Sequence, residues 1–217
     1  MNSDNTFGGQ IGNERRAPAP RSDEADPISQ AEIGKRWPAL QSVASDILSQ
    51  VGPGFTQTSY VHIQTDIAAV ASLAGLMLLQ ETVADLMTPI LQVGPGQVVL
   101  SEVHAGQELV IRFMAGVAMG SGLNPEGFFQ SVPEGNDPMF ACEEMVSRLA
   151  PGFYSACARE KLDRNYYKFA AALASVRLIG AGMEMQILDQ RIGASIASYY
   201  LVAGSKTLPY LNALWQL

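Results

Sequence analysis

Apolar residues recur at three- and four-residue spacing along most of the chain, the period of an amphipathic helix. Leu40, Val43, Ile47 and Val51 form the first such stripe. Pro38 suits a first helical position, and Gly52-Pro53-Gly54 should stop the helix. A second stripe reads Ile63, Ile67, Val70, Leu73 or Ala74, and Met77. Its run LAGLMLL, residues 73–79, is apolar all round, which predicts a central helix. That helix can continue to Met87, where Thr88-Pro89 ends or kinks it. Beyond Gly94-Pro95-Gly96, a third stripe runs through Val99, Val103, Leu109 or Val110, Phe113 and Val117 to Gly120-Ser121-Gly122. Its first part, QVVLSEV, fits a short strand equally well. Residues 121–138 read as loop, with one helical turn at 126–129.

Asp137-Pro138 is a helix-start signal. Phe140, Cys142, Met145, Val146 and Leu149 follow it, Pro151-Gly152 closes that helix, and a shorter helix takes residues 153–161. From Arg164 to Leu208 the chain has no proline. Phe169, Leu173, Val176, Gly180, Met183, Ile187, Ile192, Ile196, Tyr199 and Ala203 keep a helical period there. Gly180 and Gly182 either split this stretch into two helices or let another backbone pack closely. Gly204 ends it, and residues 208–217 form a short hydrophobic finish. The pattern predicts an all-α chain: a single compact domain of six to eight helices over residues 35–217. Residues 1–34 are rich in Gly, Pro, Arg and Asp and predict a disordered leader, either a tether or docking peptide or a solvated segment without a role.

Composition narrows the function. Of 217 residues, 47% are hydrophobic and 16% charged, and the net charge is −7. A negative chain lacks the positive field that duplex nucleic acid or an anionic membrane surface requires. Two cysteines make no disulfide framework, and MNSDNTFGGQ has no signal-peptide pattern. The apolar runs are interrupted: residues 61–79 contain His62, Gln64 and Asp66, and residues 169–203 contain Arg177, Glu184, Asp189 and Arg191. These features predict a cytoplasmic, reduced protein without a transmembrane segment, reaching membranes only through partners.

Candidate chemistry is sparse. His62 and Asp66 sit four apart on one helix, but a metal site wants three or four ligands and no HExxH pattern supplies them. Glu102 and His104 would point apart on a helix. Cys142 and Cys157 are nucleophile candidates only if a histidine approaches them in space, and both lie on apolar helical faces. Gly204-Ser205-Lys206-Thr207 lacks the upstream glycine of a phosphate loop and reads better as a helix end. No catalytic, cofactor or metal residue is assigned. Arg177, Glu184, Asp189 and Arg191 interrupt the apolar C-terminal stretch, either as one solvated stripe or as a partner-facing one. Trp37, Trp215, Tyr199 and Tyr200 are the large residues suited to anchor a contact, or to fill a core.

Two blocks carry a family resemblance. Residues 73–78, Leu-Ala-Gly-Leu-Met-Leu, with the helix continuing to Leu91, are similar to an apolar Leu-Gly-Leu helix. Residues 173–201, LASVRLIGAGMEMQILDQRIGASIASYYL, resemble an Arg-containing apolar C-terminal helix. Both resemble the small accessory subunit of the type III secretion sorting platform (the OrgA, MxiK and YscK group, with rhizobial nodulation-protein relatives). The resemblance implies a non-catalytic cytosolic adaptor in protein transport, serving virulence or nodulation. Such an adaptor would link the cytoplasmic ring of the apparatus to the sorting-platform hub protein. The alternative is a small helical enzyme or apolar-ligand-binding protein with an inter-helix pocket near Cys157 or His62. The scarcity of histidine and clustered carboxylates favours the adaptor.

Overall fold

A computed structural model describes residues 28–55, 62–83, 94–99 and 105–210. Residues 1–27, Thr88-Pro89, Glu102, His104 and Trp215, each part of an expectation above, lie outside this range. Six α-helices make up the described chain: α1 Gln30–Phe55, α2 Ile63–Val83, α3 Ala105–Gly120, α4 Cys142–Arg159, α5 Tyr167–Glu184 and α6 Gln190–Gly204. Short 3₁₀ turns span Pro125–Phe129 and Arg164–Tyr166.

The helix α2 is the centre. It touches all five other helices, most extensively α6 and α5. Over Ile63–Thr82 it is long and apolar enough to cross a membrane, but 89% of that window is buried inside the helical domain. The all-round hydrophobicity is that of a core helix enclosed by neighbours. An ion pair buried at its lysine end also joins α2 to α5: Lys168 Nζ donates to Glu81 at 2.5 and 2.7 Å. Burial raises the Glu81 carboxyl and the adjacent ammonium opposes that rise.

At one place α2 and α6 meet backbone to backbone. A Cβ on Gly75 would stand 2.6 Å from Ser205 N and 2.8 Å from Gly204 C, and closer still to the Leu201 carbonyl oxygen. A Cβ on Gly204 would stand 2.8 Å from Ser72 Cα. Only hydrogen fits at either position. Beside this crossing Gln107 Nε2 donates to Ser205 Oγ at 2.6 Å, tying α3 to the end of α6.

Several element boundaries differ from the pattern. Helix α1 starts at Gln30, inside the stretch assigned to the leader, and runs through Pro38. Ser29 and Glu32 form a reciprocal cap: Ser29 N donates to Glu32 Oε2 at 2.9 Å, and Glu32 N donates to Ser29 Oγ at 3.3 Å. The S-x-x-E pattern at 29–32 is the legible signal for this start. At the other end, α1 continues past Gly52-Pro53-Gly54 to Phe55. Helix α4 starts at Cys142 rather than at Asp137-Pro138, and it continues through Pro151 to Arg159 as one helix. Met145, Val146, Leu149, Ala150, Phe153, Ala156 and Cys157 form one buried face across the proline. Burying that face outweighs the roughly 3 kcal/mol an interior proline costs.

The C-terminal stretch breaks at residues 185–189, not at Gly180 or Gly182. Ile187 N donates to Gly182 O at 3.0 Å and Gln186 N to Met183 O at 2.9 Å, with Gln186 in the left-handed region at φ 58°. This is a Schellman stop with glutamine where glycine is usual. Leu188 then packs over Gly182, so a side chain rather than a backbone uses that space. The segment before α3 is extended: Val98 bridges antiparallel to Thr207. Val99 N donates to Lys206 O at 2.8 Å and Leu208 N to Gln97 O at 3.0 Å.

Candidate functional site

Helices α1 and α3 both lie on α5 and leave a groove between them. Its two overlapping halves hold about 600 Å³ and about 620 Å³ and share Trp37, Val117 and Ser121. Trp37 meets Phe113 edge-on with ring centroids 6.4 Å apart, and Phe113 meets Phe169 at 5.0 Å. Those three rings make an aromatic floor. Leu173 and Val176 extend it in one direction, and Ile28, Ile33 and Leu109 in the other.

The groove is open because its walls carry glycine. Gly116 and Gly120 on α3 and Gly180 on α5 line it, and a Cβ on any of them would meet nothing within 4 Å. Gly75, Gly127, Gly182, Gly193 and Gly204 differ, each having atoms closer than 3.0 Å to such a Cβ. Interior glycine costs a helix about 1 kcal/mol relative to alanine. At Gly116 and Gly180 no packing inside the domain offsets that cost. Gly180→Ala is therefore expected to raise stability by about 0.5–1 kcal/mol, read from the urea midpoint at unchanged m-value.

The four charged candidates do not form one stripe. Arg177 and Glu184 line the groove. Arg177 Nη1 donates to Ser45 Oγ at 2.9 Å and to the Gln41 carbonyl at 3.3 Å, so it clips α5 to α1. Asp189 and Arg191 sit beyond the break. Asp189 Oδ1 accepts from Arg191 N at 2.8 Å and Ile192 N at 3.4 Å, capping α6. Arg191 faces Glu126 at 3.9 Å with both side chains exposed, worth at most about 1 kcal/mol. The expectation of a single polar face fails because the chain turns between Glu184 and Asp189. Asp189→Ala should cost about 1 kcal/mol through the lost cap, while Arg191→Ala should stay within about 0.5 kcal/mol in the same melting assay.

Neither half of the groove is lined by His62 or Cys157. His62 works at the start of α2, where its Nδ1 lies 2.7 Å from Thr65 Oγ1 and accepts from Thr65 N at 3.3 Å. Thr65 Oγ1 in turn accepts from Met139 N at 2.9 Å, fixing the loop before α4. Asp66 follows, 4% exposed, and burial raises its carboxyl to about 6. Cys157 is fully buried, and burial drives its thiol far above the usual range. Cys142 is raised to about 11 for the same reason. Both stay protonated at neutral pH, the unreactive form of a thiol. Among the described residues, no group of three or more His, Cys, Asp or Glu could hold a metal ion. Gly204 is packed against Ser72 and Ser205 is buried, so GSKT forms a helix end.

The rings of Trp37 and Phe113 fall on regular apolar stripes, so the periodicity that finds α1 and α3 assigns them to the core. The glycines at 116 and 180 carry the missed signal, and only the space above them distinguishes them from packing glycines. No family model, no curated protein and no solved structure matches the chain.

Proposed function

We propose that this chain is a non-catalytic helical adaptor that holds an apolar segment of a partner protein in the groove around Trp37. The observation that carries this reading is the unfilled space above Gly116 and Gly180, over an aromatic floor, at a cost in helix stability. A rigid aromatic anchor in a ready-formed groove is the usual centre of a protein contact. Arg177 and Glu184 supply polar rim groups at one end. In its narrower form the reading follows the family resemblance of residues 73–91 and 173–201. The assembly is then the cytoplasmic type III secretion sorting platform, and the partners are its cytoplasmic ring and hub protein. An enzyme or ligand pocket centred on Cys157 or His62 draws no support from the groove.

The test is co-purification of the full chain with the co-expressed hub protein, paired with melting. Gly116→Leu fills the groove from a position where an added Cβ meets nothing within 4 Å. It should leave the melting temperature within a few degrees and reduce recovered partner at least tenfold. Glu184→Ala should weaken recovery with the fold intact, since rim charges act on specificity and encounter. Undiminished recovery with Gly116→Leu would remove the groove from the reading. No recovery of hub or ring protein with the parent chain would remove the secretion assembly.

A further inference from the structure

We propose that the partner segment held in the groove is an α-helix carrying one acidic and one basic residue two turns apart, with a large apolar residue between them. This rests on the reading of the groove as a docking surface. Helices α1 and α3 each pack along α5, yet among the described residues they barely meet beyond the Trp37–Phe113 ring pair. The floor between them is one face of α5, on which Phe169, Leu173, Val176, Gly180 and Glu184 recur every three or four residues. From Phe169 to Glu184 that face is about 22 Å long, roughly four turns. A second helix packs its side chains into gaps of this spacing.

The charges set the register. Arg177, Gly180 and Glu184 stand in line on α5, one turn apart. Arg177 donates to Ser45 Oγ and to the Gln41 carbonyl, but no carboxylate among the described residues pairs with it. Glu184 makes no ion pair among them either. Arg112, at the other end of the groove, is already held by Glu108. The floor therefore offers one unmet cation and one unmet anion, about 10 Å apart by helical rise. Between them, a Cβ on Gly180 would meet nothing within 4 Å. A docked helix with Asp or Glu over Arg177 and Lys or Arg over Glu184 meets both charges, and a Leu, Met or Phe between them fills the space over Gly180. An extended segment does not fit this pattern, since a span of about 10 Å is three residues of strand, and residues three apart point to opposite faces.

The experiment selects phage-displayed random peptides of about 18 residues, long enough for about five helical turns, against the full chain. The expected winners are helix-forming sequences with an acid and a base seven residues apart around Leu, Met or Phe. They should bind Gly116→Leu at least tenfold more weakly. Two variants read the charges separately, each checked by melting. Against Glu184→Arg, whose side chain has no partner in the described fold, the same peptides should bind about tenfold more weakly, and a fresh selection should replace their base with an acid. Arg177→Gln keeps a donor for Ser45 and should remove only the preference for the acid; if it melts low, Glu184→Arg alone decides. Extended proline-rich winners, winners without the charge pair, winners indifferent to Glu184→Arg, or no winner sensitive to Gly116→Leu would each overturn the helical charge code. A dimer of the free chain that dissociates with Gly116→Leu would seat a second copy there and overturn it too. The two readings separate cleanly. If Gly116→Leu abolishes recovery of the co-expressed hub protein but selection yields no charge pair, the adaptor stands and the code falls. If the selected peptides follow the code but Gly116→Leu leaves recovery undiminished, the code stands and the adaptor surface falls.

Discussion

Gly75→Ala is expected to destabilise the chain by about 3 kcal/mol or more, the upper end for overpacking a core. The new methyl would stand 2.6 Å from Ser205 N, with the Leu201 carbonyl oxygen nearer still. These are backbone atoms of α6 and have no rotamer to escape into. The two helices would have to separate along the most extensive contact among the described helices. For a chain of this length, 1 kcal/mol moves the melting temperature by about 2–4 °C, so a fall of about 6–12 °C is expected. Gly180→Ala, the same chemical change in open space, is the matched control. A Gly75→Ala protein that melts with its parent would mean that α2 and α6 do not cross as described.

Asp66→Asn should have the opposite sign, and its effect depends on pH. Burial raises the folded carboxyl from 3.8 to about 6, so the folded state binds its proton more tightly than the unfolded state does. Below pH 3.8 the group is protonated in both states and costs nothing. Between about pH 4 and 6 the unfolded chain ionises first and stability falls. Above pH 6 the penalty is complete, at up to about 3 kcal/mol. Asparagine cannot ionise, so Asp66→Asn should gain most of that amount at pH 7.5 and little at pH 4. Urea titrations of both proteins at the two pH values measure it. A gain of equal size at both would show that the carboxyl is not the cause.

The helices were legible because burial follows period. Leu40 to Val51, Ile63 to Leu79 and Met145 to Cys157 are buried at the positions their spacing assigns. Helix ends are less legible, because glycine and proline do not by themselves end a helix whose face is buried. Pro38 and Pro151 lie within helices, since burial of the surrounding face exceeds their local cost. The stops after α4 and α5 instead place Lys161 at φ 51° and Gln186 at φ 58°, residues with no sequence signature for that conformation. The apolar period continues across the break at 185–189, so spacing alone joins Glu184 and Asp189 in one face that the structure divides. Arg177 and Glu184 are legible because charge inside an apolar stretch is visible in sequence. Their position beside Trp37 is not, since it depends on how far apart α1 and α3 stand on α5.

The antiparallel bridge between Val98 and Thr207 joins positions separated by more than one hundred residues (207 − 98 = 109). It therefore closes a ring that contains α3 through α6. Closing such a ring in an unstructured chain costs roughly 4 kcal/mol of entropy, more than a few backbone hydrogen bonds return. The clasp gains net stability only with those four helices in place to bring its two extended segments together. The hydrogen bonds of Gly96, Val99 and Leu208 thus depend on the helices, and opening of the clasp alone is enough to expose their amides.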